Sequence, residues 1–210
     1  MPTTISFNNH PIEVARIFCI GRNYAAHAAE LGNAVGEEPV VFMKPPTAIV
    51  PPSRPIRLPR DRGPVHHEAE IVLLVGRDGA DSAKDIIGIA PGLDLTLRGV
   101  QDGLKEKRLP WELAKAFDDS APLGDFVAAP ADFASITFEC RVNGEPRQHG
   151  EMHRLLFPVP RLMTFLAARF TLRRGDLIFT GTPAGVGPLA PGDVIEILSG
   201  TAGNARWQCE

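Results

Sequence analysis

The chain carries at residues 66–75 the stretch HHEAEIVLLV, in which two carboxylates one residue apart lead into a run of aliphatic residues. Side chains alternate between the two faces of an extended strand, so Glu68 and Glu70 point the same way. Val72 and Leu74 continue that face while other aliphatic residues line the opposite one, a pattern typical of an inner strand buried on both sides. Two buried carboxylates repel each other unless a cation neutralises them. The stretch therefore predicts an inner strand that begins at Glu68 and a concentration of negative charge at its start.

Two interpretations of this charge remain open from the residues alone. Hard carboxylate oxygens suit Mg²⁺, Mn²⁺ or Ca²⁺, which predicts a metal site at Glu68 and Glu70. Alternatively, the strand begins at the surface and both glutamates are solvated, since unpaired glutamates are rarely buried. Asp94, an acid within the apolar segment 87–96, is a third ligand in the first interpretation and a turn or helix-capping residue in the second.

Composition limits the class of protein. The chain has 210 residues, of which 44% are hydrophobic and 22% charged, with a formal net charge of −3, values ordinary for a soluble globular protein. It has no basic stripe typical of nucleic-acid binding and no apolar run near the ~20 residues that span a bilayer. No signal peptide is recognisable, and three widely spaced cysteines favour buried free thiols in a reducing compartment. We therefore expect a single cytoplasmic domain over 1–210 with neither nucleic-acid nor membrane partners.

Turn-forming residues dominate the pattern of predicted elements. Twenty Pro and twenty Gly favour many short strands joined by ordered loops. Asn143-Gly144 between strand-like runs predicts a type I′ hairpin. The other predictions are strands at 14–20, 40–43 and 87–96, a helix at 24–31 capped by Asn23 and ended by Gly32, a helix at 97–107, and a helix at 162–170 preceded by Pro158 and Pro160.

Several other side chains are candidates for chemistry. His27 and Glu30 are three residues apart on one predicted helix face, where the carboxylate orients an imidazole that acts as general base, although exposed helices also carry such pairs. Arg98 and Gln101 have the same spacing, and Lys115 lies inside an apolar stretch. Cations and amides beside a metal favour a substrate with carboxylate or enolate oxygens. The Gly-rich segment 180–187 follows a strand and has two interpretations. Its backbone N–H groups turn towards an anion, or the segment is only a tight turn between strands.

Taken in order, these strings resemble the fumarylacetoacetate hydrolase family, and most closely its short branch of acylpyruvases and oxaloacetate decarboxylases. The resemblance runs from about residue 15 to residue 200. It is carried by GRNYAAHAAE at 21–30, EPVVFMKP at 38–45, HHEAE at 66–70, LDLT at 93–96, VQD at 100–102, LPW at 109–111, KAF at 115–117, VNGE at 142–145 and TGTP at 180–183.

The resemblance implies a β-rich α+β fold, the family's mixed β-sandwich roll with a few short helices, usually as a homodimer. It implies Mg²⁺ or Mn²⁺, with Ca²⁺ as a substitute in crystals, held by Glu68, Glu70 and Asp94. It also implies that the segment carrying His27 and Glu30 is a lid, in which His27 supported by Glu30 activates a water. The residues implied to contact the substrate or stabilise its negative charge are Lys115, Arg22, Lys44, Arg98, Gln101 and Thr182.

One departure from the family pattern lies beside Arg98. Many relatives carry an acid directly after this arginine, where it would orient Arg98 or brace the helix, and here the residue is Gly99. Leu97 replaces a common alanine and is expected to reshape the pocket. The role of Arg98 depends on whether other residues take over the task of the missing acid.

The activity that we expect first is hydrolysis of a C–C bond in a 3-acylpyruvate through a pyruvate enolate. The alternative is decarboxylation of oxaloacetate, or keto–enol or double-bond isomerisation, at the same site. A third possibility is a degenerate member that only binds a small acid or a protein partner. The intact Glu-x-Glu pair and lid histidine favour an enzyme acting on a small keto acid.

Overall fold

The computed structural model describes residues 3–30 and 36–210. Its strands are β1 (Thr4–Phe7), β2 (His10–Glu13), β3 (Ile17–Gly21), β4 (Val40–Lys44), β5 (Ile49–Val50), β6 (Val65–His67), β7 (Ala69–Val75), β8 (Ile86–Leu93), β9 (Thr96–Leu97), β10 (Ala121–Pro122), β11 (Val127–Ala128), β12 (Thr137–Val142), β13 (Glu145–Glu151), β14 (Leu177–Phe179), β15 (Gly187–Leu189), β16 (Val194–Leu198) and β17 (Ala205–Gln208). Its α-helices are α1 (Ala25–Glu30), α2 (Arg98–Glu106), α3 (Glu112–Lys115) and α4 (Val159–Ala167). No helix in this part of the chain has the length and apolar character needed to cross a membrane.

Strand β7 is the inner strand that the sequence predicts. It lies inside a six-stranded mixed sheet of order β11-β8-β7-β14-β3-β4, in which β14 and β3 are parallel and the other neighbours are antiparallel. All seven of its residues are buried. Ile71 and Leu73 pack into a hydrophobic cluster on one face, and Val72 and Leu74 into a second cluster on the other. The strand starts at Ala69, so the first glutamate lies just before it.

The remaining described strands form four smaller sheets. One has four antiparallel strands of order β13-β12-β16-β17, and another has three of order β15-β6-β9. The strand pairs β1-β2 and β10-β5 form the other two. The hairpin of β12 and β13 turns at Asn143 and Gly144, whose φ angles of 54° and 81° are both positive, as a type I′ turn requires. The predicted β-rich α+β class with a few short helices is therefore confirmed.

Helix α4 begins earlier than its sequence pattern indicates. The structure places Pro160 in the first helical turn, directly after Val159, and Pro158 immediately before it. The prediction that both prolines precede the helix is wrong because the first N–H groups of a helix have no partner inside it. Proline therefore costs nothing at these positions, and its fixed φ suits them.

Asn23 does not cap α1, contrary to the prediction. Its Nδ2 donates to the carbonyl oxygens of Phe157 at 3.1 Å and Thr180 at 2.8 Å, and its Oδ1 accepts from the Phe157 N–H at 2.7 Å. The side chain is fully buried. Its amide bonds backbone groups far along the chain and therefore does not cap the helix. The predicted end of this helix at Leu31 and Gly32 lies outside the described residues.

Candidate metal and keto-acid site

Strand register brings the three predicted metal ligands together. Antiparallel β7 and β8 pair Ala69 with Leu93, and the Asp94 N–H donates to the Glu68 carbonyl at 2.8 Å. Glu68, Glu70 and Asp94 each contribute a carboxylate oxygen that lies within 4.8 Å of the other two. All three residues are at most 5% exposed, so the solvated interpretation of the glutamates is wrong.

Cations are buried against these carboxylates. Lys115 Nζ donates to Glu68 Oε2 and to Asp94 Oδ2, both at 2.7 Å. Arg98 Nη2 bonds Glu68 Oε1, while Arg98 Nη1 donates to Gln101 Oε1 at 2.7 Å. The side chains of Lys115 and Arg98 are buried, so little water screens these pairs.

The environment shifts the pKa values of the two glutamates in opposite directions. Burial by itself raises the pKa of Glu68, but Lys115 and Arg98 outweigh it and hold this pKa well below its ordinary value. Burial raises the pKa of Glu70 well above its usual range, and the neighbouring Asp94 raises it further, against the Gly181 N–H, which lowers it. Burial lowers the pKa of Lys115, yet Asp94 and Glu68 together raise it above its ordinary value. Cations therefore stabilise the charge of Glu68, whereas Glu70 lacks comparable compensation.

Lys44 lies behind Asp94, outside the small cavity that contains Glu68 and Glu70. Its Nζ donates to the carbonyl oxygens of Leu95, at 3.1 Å, and of Lys115, and it lies 2.9 Å from Asp94 Oδ1. The residue is 2% exposed, and it is not among those that line the cavity. The geometry does not support the expected substrate contact, because backbone carbonyls and Asp94 surround the ammonium.

The carboxylate cluster has the donor set that a hard divalent cation requires. Asp94 Oδ1 is buried and, among the described residues, accepts no hydrogen bond, even though the Lys44 ammonium is near. This oxygen is ion-paired with the Lys44 ammonium and still has a lone pair for a second cation. Three carboxylates supply fewer than the six oxygens that Mg²⁺ takes, which leaves positions for water and substrate. The residues present therefore fit a divalent metal.

The predicted helical pair also forms. His27 Nδ1 lies 3.2 Å from Glu30 Oε2, and His27 is buried at the wall of the cavity that contains Glu68. The other Glu30 oxygen accepts from the Gly185 N–H at 3.0 Å. Glu30 is therefore held between the imidazole and a backbone amide, and the helix is anchored over the carboxylates.

The Gly-rich segment 180–187 turns its amides towards anions, as one of the two sequence interpretations expects. The Gly181 N–H donates to Glu70 Oε2 at 2.6 Å, and the Gly185 N–H donates to Glu30 Oε1 at 3.0 Å. Both glycines have positive φ, 102° and 96°. A Cβ at Gly185 would lie 2.0 Å from the Arg147 carbonyl oxygen, so only glycine fits this approach. One loop therefore holds a carboxylate of the Glu68–Glu70–Asp94 cluster and the carboxylate of Glu30 in α1.

Gln148 organises this loop, and sequence reasoning missed it. Gln148 Nε2 donates to Thr182 Oγ1 at 2.7 Å and to the Pro183 carbonyl at 2.9 Å. Its Oε1 accepts from the Ala69 N–H at 3.0 Å and lies 3.0 Å from His67 Nδ1. The signal was a polar residue at an inward position of an alternating strand, since its neighbours in β13 on either side are exposed.

A small cavity opens onto the cluster, with a volume of about 30 Å³. Most of the predicted site residues line it, namely Arg22, His27, Glu68, Glu70, Arg98, Gln101, Lys115 and Thr182. Lys105 and Trp111 line it as well, although the sequence analysis did not place either in the site. Both belong to the α2–α3 region, which the fold brings to the cavity mouth.

The comparisons with known proteins agree with this arrangement. The profile described as "Fumarylacetoacetate (FAA) hydrolase C-terminal" matches residues 16–208. The chain belongs to the fumarylacetoacetate hydrolase family. The family resemblance stated from the sequence motifs is therefore confirmed.

Relatives within the fumarylacetoacetate hydrolase family carry names of three different activities. The oxaloacetate tautomerase YcgM of Escherichia coli (strain K12) is 43% identical over 192 residues, 88% of either chain. The mitochondrial oxaloacetate decarboxylase of Dictyostelium discoideum is 39% identical over 86% of this chain and 87% of the relative. The crystal structure of fumarylpyruvate hydrolase from Pseudomonas aeruginosa, in complex with Mn²⁺ and pyruvate, superposes with a TM-score of 0.92 at 34% identity, covering 99% of this chain and 95% of that one.

The structure also accounts for the two departures from the family pattern. A Cβ at Gly99 would meet no atom within 4 Å, so an acid there would extend into open space. Arg98 is held instead by Gln101 and Glu68, without the missing acid. Leu97 is fully buried in a hydrophobic cluster and does not line the cavity. The expectation that Leu97 reshapes the pocket is wrong, because its side chain packs into the core.

Proposed function

We propose that this protein is a divalent-metal-dependent enzyme that interconverts the keto and enol forms of a small 2-oxo acid, with oxaloacetate as substrate. The observation that carries the proposal is the convergence of a base and a buried cation on one small cavity. His27, oriented by Glu30, and the ammonium of Lys115 both line the cavity that contains Glu68 and Glu70. Proton transfer beside a carbonyl requires these two groups, a base for the C–H and a positive charge for the enolate oxygen.

Tautomerisation asks less of the site than hydrolysis does. Hydrolysis of an acylpyruvate requires an activated water and a distal acyl carbonyl, whereas tautomerisation requires only a base and a group that stabilises the enolate. The names of the two curated relatives, a tautomerase and a decarboxylase of oxaloacetate, support the same choice.

We assign the metal site to Glu68, Glu70 and Asp94, with Mg²⁺ or Mn²⁺ as the cation. The closeness of the three buried carboxylates supports this assignment. When bound, such a cation supplies a Lewis acid that polarises the oxo group of the substrate. Lys44, with its ammonium 2.9 Å from Asp94 Oδ1, is in this proposal a positioning residue for that carboxylate.

The proton moves through His27. Its Nδ1 faces Glu30, so Nε2 is the nitrogen left to take a proton from C3 of the substrate. Glu30 then stabilises the imidazolium, and the Gly185 N–H holds Glu30 in place. In the enol-to-keto direction, the imidazolium returns this proton to C3, the enol hydroxyl releases its own proton to solvent water, and His27 takes up a proton from solvent again before the next turnover.

Lys115 and Arg98 complete the electrostatics. An ammonium has three donors, and Lys115 uses two of them on Glu68 and Asp94, which leaves one for the enolate oxygen. Arg98 Nε is buried and has no partner among the described residues, so it is available to a substrate carboxylate. Gln101 fixes the guanidinium through Nη1. Thr182 lines the same cavity and is assigned to substrate positioning.

Hydrolysis of a 3-acylpyruvate is the second candidate. It is supported by the similarity to the fumarylpyruvate hydrolase crystallised with Mn²⁺ and pyruvate. The same His27–Glu30 pair would then deprotonate a water that attacks the distal carbonyl. Both candidates pass through an enolate of a 2-oxo acid, so they share the demands placed on Lys115.

The test compares three reactions of the purified protein. Oxaloacetate tautomerisation is followed by ultraviolet absorbance, decarboxylation by pyruvate formation, and hydrolysis by the loss of acetylpyruvate, each with Mg²⁺, Mn²⁺ or EDTA. We expect tautomerisation to be the fastest and to be lost with EDTA. His27→Ala should lower its kcat by about 100-fold, in line with the usual contribution of a general base.

The matched control is His149→Ala, because His149 is exposed on β13 and leaves the cavity untouched. This variant should keep the wild-type rate of tautomerisation. Hydrolysis of acetylpyruvate faster than tautomerisation would instead establish the second candidate. An unchanged tautomerisation rate in His27→Ala would contradict the assignment of the base.

We further propose that residues 1–210 act as one catalytic domain that works as a cytoplasmic homodimer. The profile match over residues 16–208 supports the single domain, and the dimer follows from the family resemblance. The Dictyostelium relative is named as mitochondrial, so cell fractionation is the test of the compartment. Light scattering coupled to gel filtration tests the dimer, and a monomer mass at micromolar concentration would contradict it.

A further inference from the structure

Two cations at the cavity mouth share one aromatic ring. The Arg22 guanidinium carbon lies 5.9 Å from the centroid of the Trp111 ring, and Lys105 Nζ lies 5.7 Å from it. All three side chains line the cavity that contains Glu68. The electron-rich ring face attracts both cations, which allows two like charges to stay close to each other.

Neither cation has a strong partner in the protein. Arg22 makes no ion pair with a carboxylate of residues 3–30 or 36–210, and its Nε is buried without a hydrogen-bond acceptor there. Lys105 Nζ is 3.9 Å from Asp102 Oδ1, on an aspartate whose side chain is 57% exposed. A pair at this distance and exposure contributes little. Burial lowers the pKa of Lys105, and the nearby charges of Arg98 and Arg22 lower it further.

The backbone at Arg22 is also held in an uncommon conformation. Its φ of 59° is left-handed, a region that costs an L-residue free energy and is rare outside glycine and asparagine. The preceding Gly21 lies against the indole, since a Cβ there would be 3.5 Å from the Trp111 ring. The turn therefore directs the arginine to the cavity at an energetic cost, which is common where a side chain serves a ligand.

The charges of the site indicate the charge of the ligand that Arg22 and Lys105 would bind. Deeper in the site, the three carboxylates of the metal cluster face three buried cations, Lys44, Arg98 and Lys115. Arg22 and Lys105 are therefore surplus positive charge, even before a divalent cation binds. A ligand that neutralises them carries a second negative group on the side facing the mouth.

We propose that Arg22 and Lys105, supported by Trp111, form the subsite for the distal carboxylate of a dicarboxylic 2-oxo acid. The proposal rests on the proposed function for the other end of the substrate, whose carboxylate and oxo group lie at the carboxylate cluster. It makes Arg22 and Lys105 the residues that select a C4 dicarboxylate over a 2-oxo acid with an uncharged tail. Arg98 and Lys115, which bond Glu68, serve the reacting end in both cases.

The test uses a matched pair of ligands. 2-Oxobutanoate differs from oxaloacetate only in a methyl group in place of the distal carboxylate, and oxalate mimics the metal-binding end alone. Steady-state constants for enolisation of both 2-oxo acids, from absorbance and from deuterium exchange at C3, are measured for wild type, Lys105→Met, Lys105→Arg and Arg22→Gln. Calorimetric Kd values for both acids and for oxalate are measured with Mn²⁺ present.

We expect Lys105→Met and Arg22→Gln each to raise KM for oxaloacetate tenfold or more, while kcat and the constants for 2-oxobutanoate change less than twofold. Lys105→Arg should restore most of the preference, which separates loss of charge from loss of fold. The control is Lys107→Met, because Lys107 is an exposed cation at the end of the same helix and does not line the cavity. It should leave every constant unchanged.

The outcomes separate this proposal from the proposed function. If wild type binds oxaloacetate more tightly than 2-oxobutanoate, and the variants lose only that preference, the subsite stands even if no tautomerisation is observed. If tautomerisation occurs but the variants weaken both acids and oxalate equally, the subsite is overturned and the proposed function stands. Equal wild-type affinity for the two acids also overturns it.

Discussion

Replacing Gln148 by leucine should destabilise the protein strongly without altering the proposed metal ligands. The side chain is 2% exposed and makes four contacts, with His67 Nδ1, the Ala69 N–H, Thr182 Oγ1 and the Pro183 carbonyl, at 2.7 to 3.0 Å. Leucine has a similar volume but no polar atom, so it leaves these groups in a dry environment. Most buried polar groups in folded proteins have a partner, and losing one carries the cost of desolvation.

The magnitude follows from the number of hydrogen bonds. Each is worth about 1 kcal/mol net, so four give a loss of about 4 kcal/mol in the free energy of unfolding. For a chain of 150–250 residues, 1 kcal/mol lowers Tm by about 2–4 °C, so we expect a decrease of about 8–16 °C. Differential scanning calorimetry of the metal-free protein measures it directly.

The matched control is His149→Leu, which introduces the same side chain at the next, exposed position of β13. Its Tm should stay within about 2 °C of wild type, as is usual for surface substitutions. A decrease of less than 2 °C in Gln148→Leu would refute the reasoning, because the four contacts would then contribute nothing measurable. An equal decrease in both variants would show that the strand, and not the network, is sensitive.

Glu68→Gln should weaken Mn²⁺ binding by more than about 100-fold and abolish metal-dependent turnover, because it removes a charged ligand. Calorimetry with Mn²⁺ measures the affinity. Full retained activity would contradict the metal assignment. Gly185→Ala should lower kcat and Tm, since φ is 96° and the new Cβ would meet a carbonyl oxygen at 2.0 Å, whereas Gly200→Ala, with no atom within 4 Å, should change neither. Burial raises the pKa of Cys140 and Cys209 to about 12, so only about one thiol in ten thousand is ionised at pH 8. Mass spectrometry should therefore find that iodoacetamide at pH 8 leaves the native protein unmodified but alkylates all three cysteines of the denatured protein. Rapid labelling of the native protein would disprove the burial of these cysteines.

The sequence by itself determined the elements whose pattern is local. The continuous aliphatic run after Glu70 specified a strand buried on both faces, and β7 is that strand. The spacing of His27 and Glu30 placed both side chains on one helix face, and their atoms meet at 3.2 Å. Asn143-Gly144 specified its turn, because few other residues adopt two consecutive positive φ angles. In each case the information lies within about ten residues.

Tertiary structure alone decided what depends on partners far along the chain. The register of β7 against β8 places Asp94 beside Glu68, and no local pattern encodes a register between strands. Asn23 has the residue type of a helix cap, yet its amide bonds backbone groups more than 130 residues away. Lys44 looks like a substrate contact in sequence but lies behind Asp94 once β4 joins the sheet.

The same division holds for the site. The types of its reacting groups could be predicted, because carboxylates, a histidine and a lysine in apolar surroundings are costly unless they serve a purpose. Arg22 was among the expected substrate contacts, but Gln148, Lys105 and Trp111 were not predicted, because residues of these types are common outside functional sites. Their roles arise only in the folded chain, where Gln148 accepts from the buried Ala69 N–H and where Lys105 and Arg22 meet over the Trp111 ring at the mouth of the cavity.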